Sequence, residues 1–143
     1  MRLKELEGYL QQLDTFESPK VHLEQYATTP HIASHMLYTM ANTFDELQDN
    51  IVADFGCGCG VLSIGAAMLG AYVISLDVDT EAIDIATQNV DSFEVDNVDF
   101  IQIDLMQDAL SALKGGKIDT VIMNPPFGTK NNKGTLQAVL NVY

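Results

Sequence analysis

The sequence predicts an α/β fold of Rossmann-like type, an open parallel sheet preceded by a helical extension. Three observations carry this. Short apolar runs near 50–54, 72–76, 98–103 and 119–123 are separated by stretches of helical periodicity, the alternation that builds a parallel sheet. The first run leads into a glycine-rich turn, Gly56-Cys57-Gly58-Cys59-Gly60. The second and third end in Asp77 and Asp104, and the fourth runs into Asn124-Pro125-Pro126-Phe127. Polar groups at the carboxyl ends of parallel strands mark the crevice where such sheets bind ligands.

In chain order, Leu3, Leu6, Leu10 and Leu13 recur at helical spacing and predict an amphipathic helix over 2–14 that packs on the body of its own domain. The polar segment Glu24-Gln25-Tyr26-Ala27-Thr28 follows. Thr29 is then the N-cap, and Pro30 the first turn, of a helix from His31 to Met40. Residues 1–49 thus form a helical extension, and 50–135 the sheet-bearing core. Val61 to Leu69 reads as the helix opened by the glycine turn. Asp79 reads as the N-cap of a helix over 81–90. Asp91, Glu94, Asp96 and Asp99 form a solvated acidic surface.

The ends of the strands carry the chemistry. Alternating glycines let the backbone approach a ligand that side chains would exclude. Their spacing is G-x-G-x-G, whereas dinucleotide folds use G-x-G-x-x-G. Asp77 is placed to take the two hydroxyls of a ribose, in nicotinamide and adenosyl cofactors alike, and Asp104 to receive an adenine amino group. In Asn124-Pro125-Pro126-Phe127 the Asn124 amide oxygen and the Pro125 carbonyl are acceptors. Pro126 fixes Pro125 in an extended geometry, and Phe127 offers a flat face for stacking. That set suits a planar amino group on a flat ring, not a hydroxyl, a thiol or a phosphate. Hydride transfer has no use for such a clamp, so a nicotinamide dehydrogenase is disfavoured.

Metal chemistry is not expected. Cys57 and Cys59, one glycine apart, make no metal knuckle and read as small free thiols lining the turn, suited to a reducing compartment. His31 and His35 share a helix face, but no H-E-x-x-H pattern supplies further ligands.

These motifs, with Leu23-Glu24-Gln25-Tyr26-x-Thr28, the run from Asp54 to Gly65, and Thr120 through Gly134, resemble the methyltransferase-like protein five family of S-adenosylmethionine (SAM)-dependent enzymes. The resemblance runs from about Leu3 to about Thr135. It implies a SAM-dependent methyltransferase fold that makes N6-methyladenosine in 18S ribosomal RNA, in the nucleus (nucleolus) and cytoplasm. It implies cofactor contacts from Gln25, Thr28, Asp54, Gly56, Gly58, Cys59, Val61, Asp77 and Asp104, with Tyr26 helping to close the site. Asp54 would orient the glycine turn or meet the methionine ammonium through water. Asn124, Pro125, Pro126 and Phe127 would be catalytic, with Phe127, Lys130 and Lys133 on the RNA. Lys130 and Lys133 also read as a solvent loop with turn-forming neighbours. A protein glutamine target fits less well, because Phe127 stands where that group tends toward Tyr and the flanking Gly-Thr-Lys-Asn-Asn-Lys-Gly differs. The resemblance further implies a partner, a small zinc-binding methyltransferase activator that adds a strand near Phe100, Ile101 and Ile103.

Leu136 to Tyr143 does not read as the family's continuation, so about four of seven strands are expected, followed by a divergent tail at 136–143. On that reading the strand at 119–123 is an exposed edge carrying Val121, Ile122 and Met123. The alternative function is then a truncated, inactive form that keeps only SAM or activator binding. At 47% hydrophobic and 19% charged the composition is that of a globular domain. No apolar run is long enough to span a membrane, and Met1-Arg2-Leu3-Lys4-Glu5 is no signal peptide. With 20 acidic against 7 basic residues the net charge is −13, a poor match to RNA unless a partner adds positive charge.

Overall fold

The computed structural model describes residues 1–23, 25–105 and 116–124. Its four strands are β1 (Ile51–Phe55), β2 (Tyr72–Asp77), β3 (Val98–Gln102) and β4 (Thr120–Met123). Its four helices are α1 (Leu3–Leu10), α2 (Pro30–Asn42), α3 (Val61–Met68) and α4 (Thr80–Ser92), with one 3-10 turn at Val21–Leu23. The strands form one parallel sheet in the order β3-β2-β1-β4. The chain therefore moves outward from β1 through β2 to β3 and then returns to the other side of β1. That reversal opens a crevice at the carboxyl ends of β1 and β4, where ligands bind in open α/β sheets. The register Phe55 with Leu76 and Phe55 with Met123 brings the three strand ends to one level.

The pleat sorts side chains into two cores. Val52, Val73 and Ile122 face the helices and pack with Leu6, Leu10, Leu37, Ile64 and Val90. Ala53, Phe55 and Leu76 face the opposite way, among Ile74, Ile101, Val121 and Met123. All four helices contribute to the first core. Adjacent residues of β1 and β4 thus serve different layers, as the period of two in a strand requires.

Three expectations need correction. The helix read over 2–14 ends at Leu10. Beyond it the Asp14 N–H donates to Asn89 Oδ1 at 2.8 Å and the Asp14 carbonyl accepts from Asn89 Nδ2 at 3.0 Å, so α4 takes over that backbone. Leu13 stays buried without being helical. β4 is an edge of the sheet as expected, but its side chains are not bare: Ile122 is buried, and Val121 and Met123 are half-buried against the second core. Ile122 meets the helical layer, whereas Val121 and Met123 are shielded by neighbouring strand residues such as Ala53 and Phe55. Finally, β3 stops at Gln102, yet the Ile103 N–H donates to the Asp77 carbonyl at 2.9 Å and extends the ladder by one bond. Among the described strands β3 and β4 are the two edges.

The cap assignments match. Thr29 Oγ1 accepts from the Ile32 N–H at 3.3 Å, and Asp79 Oδ1 accepts from the Glu81 N–H at 3.1 Å. Among the described residues no helix is long and apolar enough to cross a membrane.

Candidate cofactor and amine site

The glycine turn is built by backbone handedness and fastened by Asp77. Gly56, Gly58 and Gly60 take φ of 77°, 54° and 89°, a region that side chains strain. The Gly56 and Cys57 amides both donate to the Leu76 carbonyl, at 2.8 and 2.9 Å, which ties the turn to the end of β2. Gly60 caps α3, and a Cβ there would stand 3.2 Å from the Ala86 Cβ, so the residue is required for both its φ and its space.

Asp77 accepts from the Gly58 N–H through Oδ2 at 2.8 Å and from the Asp79 N–H through Oδ1 at 2.9 Å. Burial pushes its carboxyl upward, opposed by those amide hydrogen bonds. Each oxygen keeps further acceptor capacity, and the carboxylate is only half-buried, so a ribose diol could be met without dismantling the turn. A Cβ placed on Gly56 would meet nothing within 4 Å, so the cleft beside the turn is open. Cys59 and Val61 are buried at its base. Burial raises the Cys57 thiol strongly and pushes Cys59 up to about 11, so both stay protonated at neutral pH.

Asp54 sits deeper than the sequence suggested. It is buried, and Ser63 Oγ donates to its Oδ2 at 2.5 Å while Ser75 Oγ donates on to Ser63 at 2.7 Å. Its Oδ1 has no partner among the described residues. Burial pushes its carboxyl up to about 7, against the Ser63 hydrogen bond and helped by the nearby Asp77 charge. Asp54 thus joins β1 to α3 and β2, while Asp77 performs the fastening of the turn.

The segment before α2 closes over this end of the sheet. The Gln25 amide oxygen accepts from the Lys20 N–H at 2.9 Å, and its Nε2 donates to Asp79 Oδ2 at 2.6 Å, so in this conformation Gln25 holds protein groups. Thr28 Oγ1 accepts from Asn124 Nδ2 at 2.9 Å, and the Tyr26 carbonyl lies 3.4 Å from the same nitrogen. Tyr26 itself is exposed. With Nδ2 oriented by two oxygens, the amide oxygen of Asn124 is the end left for an incoming donor. Asp104 follows β3 at the same carboxyl edge. Pro125, Pro126, Phe127, Lys130, Lys133 and the 136–143 tail lie outside the described residues.

Three contributors were not read from the sequence. Lys20 Nζ lies 2.8 Å from Asp79 Oδ1 and 3.3 Å from Glu81 Oε2. Burial would raise the Asp79 carboxyl, but hydrogen bonds from Lys20 and Gln25 hold it below the usual range. Phe16 approaches the turn, its ring 3.6 Å from where a Gly58 Cβ would stand. Asn89, buried on α4, donates to the Cys59 carbonyl at 3.0 Å as well as to Asp14. A signal for Asn89 was present: it follows Ala82 and Ala86 on the buried face of α4, where an unpaired amide would be costly. Lys20 and Phe16 gave none, because loop residues carry no periodicity.

Comparisons with known proteins agree with this geometry. The family model described as Methyltransferase small domain matches residues 30–142. The chain is 58% identical over 135 residues to the rRNA N(6)-adenosine-methyltransferase METTL5 of Danio rerio, a match covering 94% of this chain and 64% of that protein. It is 44% identical to the Drosophila melanogaster protein of the same description, covering 99% of this chain and 67% of the relative. The chain thus spans about two thirds of the length of these relatives. Among solved structures, a Pyrococcus horikoshii protein described as a candidate RNA methyltransferase superposes with a TM-score of 0.80 at 37% identity, covering 96% of this chain and 67% of that one.

Proposed function

Because the chain belongs to the Methyltransferase small domain family, and within it to the methyltransferase-like protein five group, we propose that it serves methyl transfer from SAM to the N6 amine of an adenosine in 18S ribosomal RNA. The observation that carries this is Asn124, held by Thr28 at the carboxyl end of β4 beside the glycine turn, with its amide oxygen left to accept from an amine. Placement in the nucleolus and cytoplasm is part of the same proposal.

The described residues fit the cofactor: an open cleft beside positive-φ glycines, and a half-buried carboxylate whose oxygens keep acceptor capacity. Asp77 would hold the ribose hydroxyls, Asp104 the adenine edge, and Thr28, which also holds Asn124, would contact the cofactor. Bound SAM supplies an electrophilic methyl on a sulfonium sulfur, so the protein's work is positioning. Asn124, with the Pro125 carbonyl, would accept hydrogen bonds from the N6 amino group. Positive charge developing on that nitrogen would be stabilised by these fixed acceptor oxygens. Phe127 would stack on the base once it has left its helix. No dedicated general base would be required, since the methylated nitrogen would release its proton to water.

The acidic balance of −13 supports a partner that brings positive charge. β3, an edge among the described strands, carries half-buried Phe100 and Ile101 and suits strand addition by a small zinc-binding activator.

The test is calorimetric titration of SAM into the 143-residue chain with the activator, then mass spectrometry of adenosine-containing RNA after incubation with SAM. Micromolar binding with N6-methyladenosine as product is the expected result. SAM binding with methyl recovered at another atom would overturn the amine assignment, and no binding would overturn the cofactor assignment.

A further inference from the structure

We propose that Glu7, His31 and His35 form a surface site for a divalent transition ion of the Zn2+ class, separate from the cofactor crevice. His31 and His35 stand one turn apart on α2, with ring centroids 4.3 Å apart. Glu7 comes from α1, which packs against α2, and its Oε1 lies 3.2 Å from His31 Nδ1. One donor atom from each of the three lies within 4.8 Å of the other two. Sequence spacing offered only the histidine pair. The packing of α1 on α2 supplies the carboxylate that the pair needed.

The donor set is two imidazoles and a carboxylate, which suits a borderline ion with the fourth position open to water. At bond lengths of roughly 2.0–2.1 Å, tetrahedral donors stand about 3.4 Å apart. The Glu7–His31 pair is already near that separation, and modest rotations of exposed side chains bring His35 to it. An ion pair between Glu7 and His31 accounts for one contact of the cluster. It does not account for the His35 ring, whose centroid lies 4.3 Å from that of His31 and which a shared cation would engage. The first turn of α2 carries partial positive charge, which opposes a cation there. Glu7 offsets that charge, and the imidazoles bind in their neutral form.

The site has a mechanical consequence. It fastens α1 to the first turn of α2, and His31 follows Thr28, the residue that holds Asn124, by only three positions. An ion there ties the helical extension down next to the segment that closes the crevice.

The experiment is a Zn2+ titration of the chelator-treated 143-residue chain, followed by calorimetry and by ring 1H–15N spectra of its 3 histidines. One site in the micromolar range is expected, with the signals of His31 and His35 moving together. Glu7→Gln and His35→Ala should each weaken binding by about tenfold or more. Ring signals that stay fixed while Zn2+ binds, as they would if Cys57 and Cys59 took the ion, overturn the proposal. Binding undiminished in His35→Ala does so as well. The spectra of the unaltered chain give the answer even where a variant fails to fold.

Discussion

Asn124 Nδ2 donates to Thr28 Oγ1 at 2.9 Å across 96 positions of sequence. That bond sets the amide's direction: with nitrogen anchored, the oxygen is the end presented for an amine. It also joins the segment ahead of α2 to the end of β4.

Thr28→Val removes the hydroxyl and keeps the shape. Losing one exposed hydrogen bond corresponds to about 1 kcal/mol, roughly fivefold in an equilibrium. Methyl transfer to an adenosine-containing RNA should fall by about that factor or more, with the melting temperature lowered by no more than about 4 °C. Unaltered transfer would show that Asn124 is oriented by other groups.

Asp77→Asn turns an acceptor into a donor facing the Gly58 or Asp79 amide. The turn should loosen and SAM affinity should drop by at least about tenfold, since a charge-assisted hydrogen bond contributes roughly 1.5–3 kcal/mol. Calorimetry measures it. Wild-type affinity in the variant would exclude Asp77 from the ribose.

Asp54 gives a pH signature. Its carboxyl rises from 3.8 unfolded to about 7 folded, so the folded state binds the extra proton. That contribution to stability is complete below about pH 4 and is lost as pH rises toward 7, at no more than about 1.4 kcal/mol per pH unit. Asp77 shifts in the same direction, whereas Asp79 and Asp119, both lowered, lose their contributions as pH falls. Comparing Asp54→Asn with wild type isolates the single group. The difference in melting temperature should move in favour of the variant between pH 4 and 7 and then level off. Parallel curves across that window would mean that Asp54 is ionised in the folded protein.

Gly60→Ala places a Cβ on a backbone at φ 89° and 3.2 Å from the Ala86 Cβ. Handedness alone costs about 1–2 kcal/mol, and the contact adds to it. Urea unfolding should show a lower midpoint with unchanged slope. An unchanged midpoint would mean that the turn relaxes to a negative φ.

The strands, their parallel arrangement and the positions of Gly56 to Gly60, Asp77 and Asn124 were legible because each leaves a local mark. Apolar runs of strand length, a glycine spacing and a carboxylate at a strand end depend only on neighbouring residues. The end of α1 was not legible, because it is decided by Asn89 on α4 claiming the backbone of Asp14. Gln25 read as a cofactor contact by resemblance, and only the fold shows its amide engaged by Lys20 and Asp79. The depth of Asp54 was hidden for a similar reason, since its burial depends on α3 covering β1 and bringing Ser63 to it.

The sequence by itself determined the α/β class, the order of the elements and which residues stand at the described strand ends, because hydrophobic period and backbone handedness are properties of short segments. Only the tertiary structure decided which polar groups meet: Asn124 with Thr28, Lys20 with Asp79, and Glu7 with the histidines of α2. The physical reason is that hydrogen bonds and ion pairs act over about 3 Å, and whether distant residues come that close is fixed by packing, which no local pattern encodes.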